Sequence, residues 1–348
     1  MRENKVVYGL IGYGGMGRWH TEILSNVPEA IIGGIYDIKE EKREEAKEKG
    51  FSVYETEEAM LADPDIDVVL IATPNDCHKP IAIRAMHAGK NVISEKPVTL
   101  SSADLLEMEN AAKETGKLLT VHQNRRWDDD FLNIKKLVEE QKLGHVFRIE
   151  SRVHGSRGIP GDWRKEKVHG GGMVLDWGVH LLDQILYMYG DRKIETVYAS
   201  LTNVTNQEVD DGFTAILTFE GGTEVLVEVG TNNYISLPRW YVLGEDGTAV
   251  IRDWQLNGEI MRIRVVPLKP PAGLTKTMAP RREDTIVKED LPKVSGDIAD
   301  FHRNVVAVIR DGAEPEIKLF QVMRVMKLME AIFQSAETNQ VIKFQDQV

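Results

Sequence analysis

Short, unbroken apolar runs punctuate the first third of the chain. Val6–Ile11, Ala30–Tyr36, Val68–Ala72, Asn91–Ser94 and Leu118–Val121 lack the alternation of a half-buried strand. Helix-forming stretches separate them, the clearest being Lys39–Lys49, His78–Ala88 and Ser101–Thr115. A strand that is apolar throughout is buried on both faces, and helices between successive strands supply that cover. The pattern predicts βαβ crossovers and a doubly wound parallel sheet, with its ligand at the carboxyl ends of the strands.

The rhythm changes after about residue 123. A helix over Phe131–Val138 precedes runs that alternate with period two: Val146–His154, Thr196–Leu201, Phe213–Phe219, Thr223–Val229, Trp240–Leu243 and Met261–Val266. Glu220-Gly221-Gly222 and Glu245-Asp246-Gly247 read as turns between strands. This half predicts an open, mostly antiparallel sheet with one face packed on helices. Lys269–Glu289, carrying Pro270, Pro271 and Pro280, reads as a long loop, and helices over Ser295–Arg310 and Leu319–Ala336 close the chain. The expected class is α/β in two domains, residues 1–123 and 124–348, a division that suits 348 residues.

Charge narrows the partners. Asp and Glu number 55 against 43 Lys and Arg, a net charge of −12, which argues against a protein that grips nucleic acid. Lys39–Lys49 interleaves Glu with Lys and reads as a solvated helix face. No apolar run is long enough to span a bilayer, and the N-terminus lacks a signal-peptide pattern. The single cysteine, Cys77, cannot form an intrachain disulfide and suits a reducing cytoplasm; it reads as a small packing residue. No His-Glu-x-x-His occurs and one cysteine cannot build a thiolate zinc site, so no metal is expected.

Gly12-Tyr13-Gly14-Gly15-Met16-Gly17 follows the first strand and opens a helix, and Asp37 stands twenty residues after Gly17, at the end of the second strand. Together these meet the dinucleotide fingerprint: glycines let backbone N–H groups approach a pyrophosphate, and the acidic residue accepts from the adenosine ribose. NAD is the expected cofactor. After Asp37 comes apolar Ile38, and only Lys39 offers a positive charge toward a 2′-phosphate.

Glu95-Lys96-Pro97 ends the fourth strand, where a lysine can stabilise developing alkoxide charge. Asp176, His180 and Asp183 are spaced to share one helical face, after the triple glycine Gly170–Gly172. A carboxylate beside a histidine can hold its tautomer and stabilise the imidazolium of a general base.

The glycine motif, Glu95-Lys96-Pro97, Asp162-Trp163-Arg164 and the Gly170–Asp183 segment together resemble the Gfo/Idh/MocA oxidoreductases over nearly the whole chain. The resemblance implies Lys96, Asp176 and His180 as the catalytic set, with His180 as acid/base. It also places Thr73-Pro74-Asn75, His78, Glu95, Trp163 and Arg164 beside the cofactor, and suggests a cis Lys96–Pro97 peptide. Asn124-Arg125-Arg126-Trp127-Asp128 resembles a segment lining the substrate side, so Arg126 and Trp127, with His154 and Arg157, are further substrate candidates. The activity implied is NAD(H)-dependent oxidation of a secondary hydroxyl on a cyclic polyol, sugar or glycoside. Alternatives within the resemblance are glycoside cleavage through transient oxidation and a non-catalytic dinucleotide sensor. A homodimer or homotetramer built through the second sheet is also implied.

Overall fold

The computed structural model describes residues 4–264 and 280–345. Its first sheet is five-stranded and parallel, in the order β2-β1-β3-β4-β5, with β1 Val6–Ile11, β2 Ala30–Tyr36, β3 Val68–Ile71, β4 Asn91–Ser94 and β5 Leu119–Val121. Helices α1 (Gly15–Leu24), α2 (Glu40–Glu48), α3 (Glu57–Ala62), α4 (His78–His87) and α5 (Ser102–Thr115) connect the strands. All four residues of β3 are fully buried, as unbroken apolar strands require. The strand order reverses direction between β1 and β3, and the crevice there is the expected ligand position.

Helix α6 (Asp129–Glu139) leads into a nine-stranded sheet of β6 Val146–His154, β7 Ile194–Thr202, β8 Gly212–Phe219, β9 Glu224–Gly230, β10 Trp240–Gly244, β11 Gly247–Ile251, β12 Gly258–Ile263, β13 Ile286–Glu289 and β14 Ile342–Lys343. The order is β13-β12-β11-β10-β6-β9-β8-β7-β14, antiparallel except where β6 meets β9. Phe213, Ala215, Leu217 and Phe219 of β8 point into the core, while alternate residues face outward. Helix α7 (Val179–Tyr189) packs on the long α9 (Leu319–Thr338), which lies on β7. The chain then closes on itself: α8 (Ala299–Asp311) packs on β1 and α1, and α9 also reaches β5.

Several expectations shift. The loop expected over Lys269–Glu289 ends in a real strand, β13, which pairs with β12 at the sheet edge; residues 269–279 lie outside the described residues. The strand expected over Met261–Val266 begins earlier, at Gly258, and its last two residues lie outside the described ones. The turn at Glu245-Asp246 closes a hairpin whose second strand, β11, the alternation did not reveal. Helix α3 was also missed, because its six residues are too few for a helical period to emerge.

Candidate active site

The glycine loop is tightly built. Gly12 has φ of +96°, and a Cβ there would stand 2.5 Å from the Ala72 carbonyl oxygen; one on Gly17 would stand 2.1 Å from the Gly12 oxygen. These two glycines let helix, turn and strand approach each other. Around Gly14 and Gly15, by contrast, a Cβ would meet nothing within 4 Å, and Gly14 caps α1 without a side-chain hydrogen bond. The first amides of α1, including that of Met16, thus present uncovered donors at a helix N-terminus, which fits a pyrophosphate. Asp37 accepts from the Tyr13 amide (2.7 Å) and the Lys39 amide (2.9 Å), clamping the loop while retaining carboxylate lone pairs for a ribose diol. Arg43 donates to the Asp37 carbonyl at 2.9 Å and stands beside the same site.

Loops after β3 and β4 are stitched to one another. His78 was expected beside the cofactor, but its ring is fully buried, each nitrogen 3.0 Å from a carbonyl, one of Pro97 and one of Thr73. It supports the cis Lys96–Pro97 turn and the partly exposed Thr73-Pro74 segment. Buried Asn75 likewise donates to the Gly170 carbonyl at 2.9 Å and ties this loop to the triple glycine. Glu95 also departs from expectation. Its carboxylate points inward, accepting from His20 Nε2 (2.7 Å) and His122 Nδ1 (2.8 Å). Burial opposes its charge, yet the two histidines outweigh that cost and hold its pKa well below the usual carboxylate range.

Lys96 Nζ donates to the Asp176 carbonyl (2.8 Å) and to its Oδ1 (3.1 Å). Arg164 Nε stands 3.3 Å from the same Oδ1, with its guanidinium over the Trp163 ring. Burial raises the Asp176 pKa, but Lys96 and Arg164 win and leave it below its ordinary value. Asp176 lies in a π-helical turn, Val174–Gly178, that runs into α7. The amides of Met173 and Val174, which start this turn, donate to Asp210 at 2.9 Å each. Close approach of Asp210 explains Gly172, where φ is +102° and a Cβ would stand 2.3 Å from Asp210 Oδ1.

His180 lies in the first turn of α7 and is 5% exposed. Burial first, then the positive charges of Lys96 and Arg125, push its pKa well below that of a free imidazole. Its Nδ1 has no hydrogen-bond partner among the described residues. The expected histidine–carboxylate pair is therefore replaced by a lysine–carboxylate pair: Asp176 holds Lys96, and no hydrogen bond joins Asp176 to His180 among the described residues. Nor does Asp183 share the site's face. It forms two hydrogen bonds with Arg126, inside the protein.

Beside Asp176 opens a cleft of about 530 Å³, whose walls include Arg125, His154, Arg157, Trp177, Thr231 and Trp254. Its volume suits a small organic ligand. Arg126 and Trp127, expected here, lie elsewhere: Arg126 is buried on Asp183, and Trp127 packs edge-on against Phe301. Arg125 takes the cleft position instead, 4.2 Å above the Trp177 ring and 5.4 Å from the Trp254 ring. His154 forms wall, its Nδ1 accepting from the Leu237 amide and its Nε2 3.2 Å from Glu228, while Arg157 stands exposed on the rim.

Residues 6–123 match the model of the oxidoreductase family with an NAD-binding Rossmann fold, and residues 131–250 match the GFO/IDH/MocA C-terminal domain. The chain belongs to the Gfo/Idh/MocA oxidoreductases. Among relatives in this family is scyllo-inositol 2-dehydrogenase (NADP(+)) IolW of Bacillus subtilis, 28% identical over 345 residues, 96% of this chain and 94% of that one. Myo-inositol 2-dehydrogenase of Thermotoga maritima is 32% identical, over 62% of this chain and 65% of its own. The crystal structure of an NAD-binding protein from Listeria innocua superposes with a TM-score of 0.89 at 48% identity, over 97% of both chains. Among the described residues no helix is long and apolar enough to cross a membrane.

Within this Gfo/Idh/MocA chain, the residues missed from sequence were Arg43, Arg125, Trp177 and Trp254. Adjacent arginines in a 3-10 turn, Asn124–Trp127, carry no period that says which one faces the cleft. The tryptophans stand in segments whose meaning appears only when the π turn and the hairpin end are brought together.

Proposed function

We propose that the chain is a dehydrogenase that moves a hydride between NAD(P) and a secondary hydroxyl of a cyclic polyol, sugar or glycoside. The observation that carries this is the Lys96 ammonium, fixed by the Asp176 carbonyl and carboxylate near His180. When bound, the oxidised nicotinamide supplies the hydride acceptor. Lys96 donates to the substrate oxygen and stabilises it as alkoxide character develops. Neutral His180 takes the hydroxyl proton at a ring nitrogen, since its lowered pKa keeps it unprotonated at neutral pH. Asp176 orients Lys96, and Arg164 shares the carboxylate. Arg125, Trp177 and Trp254 offer donors and flat apolar faces, a combination that suits a ring bearing several hydroxyls.

Asp37 supports a preference for NAD, because a 2′-phosphate would stand against its carboxylate. Arg43 is the competing feature, since its guanidinium lies next to the same loop. The exposed face of the nine-stranded sheet is the proposed surface for a homodimer or homotetramer. The lone cysteine and acidic charge fit a cytoplasmic protein divided near residue 123. Absorbance of NADH and NADPH, followed with inositols and glycosides as donors and the matching ketones as acceptors, tests the activity. If none of these is turned over with either cofactor, the reading fails.

A further inference from the structure

Beneath the Lys96 loop lies a cluster that the proposed chemistry does not use. His20 on α1, His122 just after β5 and His302 on α8 are fully buried, and one ring nitrogen from each lies within 4.8 Å of the others. Glu95 can only accept when ionised, so it fixes protons on His20 Nε2 and His122 Nδ1. The opposite nitrogens, His20 Nδ1 and His122 Nε2, then carry no proton, and without an ion the first accepts from His302 Nε2 at 3.2 Å. His122 Nε2 has no hydrogen-bond partner among the described residues, nor do His302 Nδ1 and the Tyr8 hydroxyl. A buried lone pair left without a donor, as on His122 Nε2, is costly unless something occupies the space it faces.

We infer that His20, His122 and His302 form a binding site for a borderline divalent cation, zinc in the first instance, with Glu95 as the acceptor behind two of the ligands. Imidazole suits this class of ion, and ligating histidines usually donate their far N–H to a carboxylate, as His20 and His122 do. Nitrogens around a tetrahedral ion at ~2.0–2.1 Å stand roughly 3.3 Å apart, and His20 Nδ1 to His302 Nε2 is 3.2 Å. Rings sharing such an ion have centres roughly 5 Å apart by the same geometry; here the separations are 4.5, 5.3 and 5.8 Å. His302 would carry its proton on Nδ1 and bind through Nε2. A fourth position is left for water. Closed off from solvent, the ion would be structural, joining α8 to the first sheet behind Lys96.

The test is independent of any catalytic activity. Full-length protein produced with zinc in the medium, then gel-filtered, is assayed for metal by plasma mass spectrometry, and cobalt is substituted during refolding. The expected result is about one equivalent per chain, visible bands of tetrahedral cobalt, and a thermal midpoint that rises with added zinc. His302→Ala should lose the ion, while His87→Ala, at an exposed histidine, should retain it. Folded wild-type protein that keeps neither zinc nor cobalt, under either condition, overturns the site and leaves a histidine cluster around a buried water. Because wild-type protein decides the matter, misfolding of His302→Ala does not rescue the proposal.

Discussion

Arg126 and Asp183 face each other through two parallel hydrogen bonds of 2.7 and 2.6 Å, both side chains 2% exposed. Removing one partner of such a pair strands a buried charge, a loss of ~3–5 kcal/mol. Arg126→Ala should therefore lower stability by about that amount in denaturant unfolding. Arg125→Ala, one residue earlier, should cost less stability, because its ion pair with Asp128 is partly exposed, and should raise KM for the substrate of the proposed reaction. The reverse assignment would show that the cleft lies on the other side of this turn.

Lys96→Ala should lower kcat by ~10²–10³ through loss of one preorganised donor. His180→Ala should cost ~10²–10⁴ as a lost general base. Steady-state rates for both variants, with chemistry established as the slow step by a deuterium isotope effect, check the assignment. Near-wild-type turnover in both would refute it.

Burial and the charges of Lys96 and Arg125 favour neutral His180. A base with a depressed pKa stays competent at lower pH than a free imidazole, so the acid limb of kcat/KM should fall below the free-histidine value of ~6.5. A limb at or above that value would place the titrating base elsewhere.

Cofactor choice turns on Asp37 and Arg43. Two like charges ~4 Å apart cost about 4 kcal/mol at an effective dielectric of 20, and the Arg43 guanidinium is already engaged by the Asp37 and Ile38 carbonyls. NAD should thus give the higher kcat/KM. Asp37→Ser should narrow the gap through KM for NADP, and Arg43→Ala should widen it. Equal values for the two cofactors on the wild-type enzyme would mean that Arg43 outweighs the repulsion.

Asp210 links the site to pH. Burial pushes its pKa up to about 6, against the help of the Met173 and Val174 amides. Because the folded-state pKa exceeds the unfolded one, its stabilising contribution is full below about pH 4 and is lost as pH rises through 6. Asp210→Asn does not titrate there, so its stability relative to wild type should rise between pH 4 and pH 7, by on the order of 2–3 kcal/mol. A constant difference across that range in thermal melts would contradict this.

Much of the architecture was legible because parallel strands buried on both faces must be apolar throughout, as Val6–Ile11 and Val68–Ile71 are. Lys96, Asp176 and the glycine turn were legible because each belongs to a short segment with a recognisable pattern. What escaped depends on long-range geometry. Glu95 and His78 sit inside such segments, yet they turn inward to hold loops together. Among the described residues strand β13 pairs with β12 alone, and it follows a proline-rich stretch, so its apolar period is faint. No spacing rule joins His20, His122 and His302, which meet through three separate elements.

The wide turn at Val174–Gly178 sets the phase of everything before it. A π turn holds one more residue than an α turn, and each α-helical residue advances the chain by ~100°. Shortening this stretch by one residue would preserve composition, charge and the downstream helix almost intact. It would nonetheless rotate Asp176 about a quarter-turn away from Lys96, leaving the lysine without its anchor and the histidine where it was. Alignment gaps in this segment among related chains thus carry angular meaning: a single-residue length difference here is a change of aim.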